Sequence, residues 1–192
     1  MKKRVILLLI VLLCFIGSLY FDSEIVRAVY SIQNYAFTEL FLGVTFISSE
    51  IIIFFFLTSM FLWSERKRKW ILPLWITLAL SAIIGFLLKI AVQRPRPFEL
   101  GLVPLMQVFE SASYTIWNFS FPSFQAMLAF CAIPILSREF PKFRSYWIAF
   151  AILVAFSRVY FGLHFMSDVI AGSLIGYILG ELVVLVKTRR IF

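Results

Sequence analysis

His164 is the only histidine in the chain, and Asp168 stands four residues after it. Upstream lie Lys89, Arg94, Arg96 and Arg158, each close to the end of an apolar run, and Pro122-Ser123, which opens another run. Cations of this kind bind phosphoryl oxygens, arginine with a two-pronged fork and lysine as a point charge. Proline suits the first turn of a helix, so Pro122-Ser123 also reads as a helix N-terminus, whose free amides attract anions. Taken singly, each feature has a plainer reading. Arginine in a proline-rich segment anchors membrane interfaces, serine after proline caps helices, and a lone histidine near an interface is commonly just polar. A lone histidine also excludes any metal site needing two or more His ligands. What matters is whether the fold brings these residues together.

The elements that must position them are membrane helices. Of 192 residues, 62% are hydrophobic and only 15% charged, a balance foreign to soluble domains. Apolar segments cover roughly 5–21, 37–63, 71–92, 121–137, 146–164 and 168–186, most of them long enough to cross about 30 Å of hydrocarbon as a helix. The expected fold is therefore all-α, a single domain over residues 1–192 with six transmembrane helices. Segment 37–63 exceeds one crossing, which predicts a tilt or a start on the membrane surface. The first segment follows Met1-Lys2-Lys3-Arg4 as a signal peptide would, but no small-residue cleavage site follows it, so it reads as a retained span.

Most of the 18 Lys and Arg residues fall into four clusters: Lys2 to Arg4, Arg66 to Lys69, Arg138 to Arg144, and Lys187 to Arg190. With six spans all four lie on one side, which the positive-inside rule makes cytoplasmic, termini included. The net charge of +8 is thus topological, and nucleic acid is not an expected partner. Arg27, beside Asp22 and Glu24 in the first outer loop, reads as a solvated charge. Lys89, Arg94, Arg96 and Arg158 oppose the bias at the outer ends of spans three and five, where charge calls for a functional reason. By topology alone the cations, the helix start and the His–Asp pair meet at the outer face. Gly172, Gly176 and Gly180 form a small-residue ridge on span six, which predicts close packing within the bundle ahead of a dimer interface. Cys14 and Cys131 lie in apolar stretches and suggest neither a disulfide nor a metal site.

The order and spacing of these residues resemble the type 2 phosphatidic acid phosphatase superfamily, whose motifs are Lys-x6-Arg-Pro, Pro-Ser-Gly-His and Ser-Arg-x5-His-x3-Asp. Lys89, Arg96 and Pro97 match the first, and Ser157, Arg158, His164 and Asp168 the third. The resemblance implies that Lys89, Arg96, Arg158, Ser123 and the backbone amide of Phe124 hold the phosphoryl group. It implies that His164 is the nucleophile, forming a phosphohistidine, and that Asp168 orients it. The charge is supplied by the protein's own cations, and no metal or other cofactor is called for. The implied partner is a phosphorylated lipid in a prokaryotic cytoplasmic membrane, reached from outside. Oligomeric state is open.

The second motif departs from the family: Pro122-Ser123-Phe124-Gln125 stands where Pro-Ser-Gly-His is expected. The family's histidine protonates the leaving oxygen; Gln125 can donate a hydrogen bond but no proton. Losing a general acid costs about 10²–10⁴-fold in rate. A lipid alkoxide, comparable to water with its pKa of about 15.7, leaves poorly without help. A phosphate monoester, with a second pKa of about 6, leaves far more easily. This argues for a lipid diphosphate, such as polyprenyl diphosphate, over lipid monophosphates. The alternatives are a catalytically reduced protein that binds a lipid phosphate, and a phosphotransferase using another acceptor. Phe124 is expected to narrow the pocket and touch a lipid tail. Glu50, Glu99, Glu110 and Tyr160 are conceivable proton donors that sequence does not rank, with structural pairing the plainer reading of Glu50. The loop from Phe98 to Phe121, with Leu102, Tyr114 and Trp117, is expected to admit the lipid sideways.

Overall fold

The computed structural model describes the backbone of residues 2–112 and 119–189, and the side chains of Ile6, 9–109 and 119–189. The described residues form helices and turns without a strand. This is the expected outcome where lipid cannot satisfy backbone polar groups. The helices are α1 (Lys2–Ser31), α2 (Tyr35–Ile47), α3 (Glu50–Leu62), α4 (Glu65–Arg68), α5 (Ile71–Val92), α6 (Phe124–Cys131), α7 (Ile133–Glu139), α8 (Arg144–Tyr160) and α9 (Met166–Thr188).

Three stretches, Leu9–Ser31, Glu65–Val92 and Met166–Thr188, are long and apolar enough to cross a membrane, and the bent pair α2–α3 makes a fourth. The six apolar segments of the sequence are thus not six straight helices. Segment 37–63 is broken at Ser48-Ser49 and bends by 62°. Segment 121–137 is interrupted at Ala132, where Pro134 opens α7; the missing N–H and the ring of proline disfavour an uninterrupted helix there. The fifth, α8, is only 17 residues long. The first helix runs further than expected, through Asp22 to Ser31. Large apolar side chains such as Leu13, Ile51, Phe55 and Trp63 remain exposed, as befits surface that faces lipid.

Two features fix the arrangement. At one end, Lys67 of α4 donates to the Glu139 carbonyl at 3.2 Å and lies over the Phe140 ring, so two of the basic clusters adjoin. Through the centre, α9 packs against α6 with almost no side chain between them. A Cβ at Gly172 would lie 2.4 Å from the Ser123 carbonyl oxygen. At Gly176 and Gly180 it would lie 2.2 Å from the carbonyls of Met127 and Cys131. The ridge therefore faces α6 of the same chain. Its four-residue spacing matches Ser123, Met127 and Cys131, one helical turn apart. Apolar clusters flank this seam, one around Phe61, Leu74 and Ile135 and another around Val26, Val159 and Val169.

Gly176→Ala forces a methyl into backbone and should destabilise the protein by about 1–3 kcal/mol, as overpacking does. Gly17→Ala, on α1 with nothing within 4 Å of the new methyl, should not lower stability. Thermal unfolding of both variants in detergent checks the contrast.

Candidate active site

The site forms where α5 ends, α6 and α9 begin, and α8 turns back. Gln93, in the left-handed region at φ 50°, terminates α5 and releases Arg94 to Pro97 across the top of the bundle. Gly162, at φ 64°, makes the turn after α8, and a Cβ there would strike Val103 at 2.3 Å. That turn delivers His164, which is fully buried apart from a 2% exposed edge. Ser123 stands at the N-cap position of α6, and its amide donates to the Asp168 carbonyl at 3.0 Å, tying α6 to α9.

A cavity of about 240 Å³ opens between these elements and the α2–α3 break. Arg96, Arg158, His164, Gln125, Glu50 and Thr45 are among the residues that line it. Arg158 is held by Ser157 at 3.1 Å and by Thr45 at 2.5 Å. Arg96 donates to the Leu163 carbonyl at 3.2 Å, and its own amide bonds Glu99 at 2.7 Å. Lys89 is buried and donates to the Phe119 carbonyl. The Ser123 hydroxyl is fully buried and has no hydrogen-bond partner among the described residues. An unsatisfied buried donor at the start of a helix suits an anion. By position, the amides of Phe124, Gln125 and Ala126 at the start of α6 have no intrahelical acceptor.

The imidazole is oriented differently from expectation. Its Nδ1 lies 2.7 Å from the Ser120 carbonyl oxygen, and 3.9 Å from Asp168 Oδ2, too far for a hydrogen bond. Facing a carbonyl, Nδ1 must carry the proton, and in the neutral ring Nε2 is then the bare nitrogen. His164 lies in the turn outside both flanking helices, and burial lowers its pKa well below the usual value. The nearby charges of Arg96 and Lys89 add to the effect, while the Ser120 bond opposes it. Burial also lowers Arg96 from the usual arginine value, against the attraction of Glu99 and Asp168.

Asp168 acts one step back. Its Oδ2 accepts the Phe165 amide at 2.8 Å and the Ser120 hydroxyl, and so holds the residue whose carbonyl holds His164. Its Oδ1 pairs with Arg94 at 2.7 Å. Arg94 in turn pairs with Asp22 at 2.8 Å, lies 4.0 Å over the Phe165 ring, and bonds the Ser167 hydroxyl at 2.7 Å. Asp22 also accepts the amide of Ser167 at 3.0 Å and its hydroxyl. Asp22 is therefore no loop residue. It is a buried carboxylate on α1, whereas Arg27 is exposed as expected.

Sequence reasoning thus missed Asp22, Ser120 and Ser167, and it grouped Arg94 with the outer-face cations without its two carboxylate partners. Among the described side chains of α1, Ser18 and Asp22, one turn apart, are the buried polar ones, a periodicity readable in retrospect. Nothing local marks a backbone carbonyl such as that of Ser120. Phe124 does not narrow the cavity: its ring packs toward α5, 3.3 Å from where a Cβ on Gly85 would lie. Of the conceivable donors, Tyr160 is tied to Thr38 at 3.0 Å and Glu99 to the Arg96 amide. Glu50, at the helix break and not midway along a helix, lines the cavity. Tyr114, Trp117 and the side chain of Glu110 lie outside the described residues; Leu102 packs against the cluster around Val26 and Val159.

Because the chain has one histidine, ¹⁵N NMR of untagged protein in detergent reads it alone. The expected spectrum has a protonated Nδ1 and a bare Nε2 that persist as the pH falls through 6.5. A proton on Nε2, or titration at the ordinary histidine value, contradicts the geometry. Arg94→Ala leaves Asp22 and Asp168 buried without their cation and should cost about 3–5 kcal/mol in stability, measured by unfolding in detergent.

Comparison with known proteins agrees with this architecture. The chain is 31% identical over 126 residues to an undecaprenyl-diphosphatase of Sulfolobus acidocaldarius, covering 62% of this chain and 56% of the relative. It is 30% identical over 175 residues to phosphatidylglycerophosphatase B of Bacillus subtilis, covering 84% and 81%. The crystal structure of a transmembrane PAP2 type phosphatidylglycerolphosphate phosphatase from Bacillus subtilis shares the fold at TM-score 0.73 and 24% identity, over 98% of both chains. Aquifex aeolicus LpxE superposes at TM-score 0.70 with 27% identity, over 86% of this chain and 95% of that one. Residues 70–192, which carry all the motif positions of the site, match the family model of the PAP2 superfamily, and the chain belongs to that superfamily.

Proposed function

We propose that this protein is an integral membrane phosphatase that removes a terminal phosphate from a lipid, by way of a phosphohistidine on His164. The observation that carries the reading is the Ser120 carbonyl on His164 Nδ1, which leaves Nε2 bare in a ring that lines a cavity with Arg96 and Arg158. In this reading the phosphoryl oxygens lie against Arg96, Arg158, Lys89, the Ser123 hydroxyl and the amides opening α6. These charges stabilise the negative charge that spreads over the equatorial oxygens as phosphorus becomes five-coordinate. His164 Nε2 attacks phosphorus, the bond to the leaving oxygen breaks, and the leaving group departs with that electron pair. Water then cleaves the N–P bond. Asp168 contributes by fixing Ser120 and, through it, the ring. The reaction as proposed calls on no metal.

The polypeptide is taken to span the membrane six times, α2–α3 and α6–α7 each counting once, with termini in the cytoplasm and the site outside. The adjoining basic segments of α4 and the α7–α8 turn support this orientation. The substrate favoured is a polyprenyl diphosphate. With glutamine at the family's acid position, a phosphate leaving group departs where an alkoxide does not. That the relatives include an undecaprenyl-diphosphatase and phosphatidylglycerophosphatase B supports a lipid substrate in either class.

Purified protein in detergent with chelator should release phosphate from a polyprenyl diphosphate, and His164→Ala should abolish the release. Rates on phosphatidate and phosphatidylglycerol phosphate should be lower by about 10²-fold or more, the scale of a missing general acid. Equal rates on all three would overturn the leaving-group argument. Release from none would overturn the enzymatic reading in favour of lipid-phosphate binding.

A further inference from the structure

Gln125 occupies the position of the family's acid, yet it does not stand alone there. Its Nε2 donates to Glu50 Oε1 at 3.1 Å, across 75 positions of sequence. Glu50 is the first residue of α3, immediately after the 62° break, and lines the same cavity as Gln125, Arg96, Arg158 and His164. In a continuous helix through Ser48 and Ser49 this carboxylate would occupy a different position. The break therefore presents it to the cavity. Arg158 lies within electrostatic reach of it. The amide of Gln125 fixes the carboxylate at the wall of the cavity. A carboxylate oxygen in that position can take a proton from water.

We propose that Glu50, oriented by Gln125, is the general base that activates water in the second half of the reaction. The inference rests on the phosphatase reading above. In the first half the N–P bond forms and lipid monophosphate leaves as an anion, with no acid required. Water then enters on the side vacated by the leaving group, which is the side of the family's acid position and so of Gln125 and Glu50. As the water oxygen bonds to phosphorus, its proton passes to Glu50. The N–P pair returns to His164 Nε2. Glu50 afterwards gives the proton to the departing phosphate or to solvent, restoring the starting state. A single family histidine that serves the leaving group is thus replaced here by a leaving group that needs no acid and a carboxylate that serves water.

Rapid-quench turnover of polyprenyl diphosphate labelled in the terminal phosphate tests this directly. Glu50→Gln keeps the shape and an oxygen for Gln125 to bond, but is no base at neutral pH. It should release one lipid monophosphate per chain in a burst, accumulate alkali-stable phosphohistidine, and turn over at least about 100-fold more slowly than the parent. The burst itself reports a folded, competent site. Adding Gln125→His to Glu50→Gln should restore turnover, because imidazole can take the proton in place of the carboxylate; a merely structural role for Glu50 predicts no such rescue. Undiminished turnover of Glu50→Gln beside an active parent would overturn this inference alone, as would loss of burst and turnover together. An inactive parent protein would overturn the phosphatase reading itself, and this inference with it.

Discussion

Everything in the site depends on two helix backbones lying in contact. Gly172, Gly176 and Gly180 remove every side chain from one stripe of α9, and the carbonyls of Ser123, Met127 and Cys131 on α6 fill the space. In hydrocarbon there is little hydrophobic gain in joining helices, so close packing and polar contacts must hold them. The seam sets the relative register of α6 and α9. It thereby sets Ser123, at the start of one, against Asp168, at the start of the other. The Ser123 amide bonded to the Asp168 carbonyl is the last contact of that register.

From Asp168 the polar order spreads outward in two directions. One runs through the Ser120 hydroxyl and carbonyl to His164 Nδ1, fixing which nitrogen is protonated. The other runs through Arg94 to Asp22 and Ser167, linking α1 and the segment after α5 to α9. Each carboxylate oxygen in this network has a donor. That satisfaction is what makes two buried acids tolerable in so apolar a protein. Arg94 has both carboxylates as partners, which leaves Arg96 and Arg158 as the guanidinium groups that line the cavity. One cation near the motif is thus structural glue, while Arg96 and Arg158 line the cavity.

How much was legible in the sequence differs by residue. Lys89, Arg96, Ser123, Arg158 and His164 could be grouped because apolar runs of fixed length force their ends to a common level. The family motifs named the same residues. Glu50 was visible as a costly charge in an apolar segment, but its direction was not, since that depends on a break between Ser48 and Ser49 that apolar composition does not announce. Asp22 was read as a loop residue because hydropathy ended the first span at the charge. The helix continues because Arg94, 72 positions away, neutralises it. The ring of Phe124 was expected in the cavity, and it turned to α5 because Gly85 leaves room there.

The sequence by itself determined the medium and the helical class, and it pointed to Lys89, Arg96, Ser123, Arg158 and His164, because apolar length, cation placement and motif spacing are local properties. It also determined that α9 would pack closely, since glycines at every fourth position leave no other surface to bury. Only the tertiary structure decided the pairings: Arg94 with two acids, His164 with a backbone carbonyl, and Gln125 with Glu50. Those choices depend on angles and breaks in helices distant in sequence. Hydrogen bonds discriminate at tenths of an ångström, and the linear order of residues carries no information at that scale until the chain is packed.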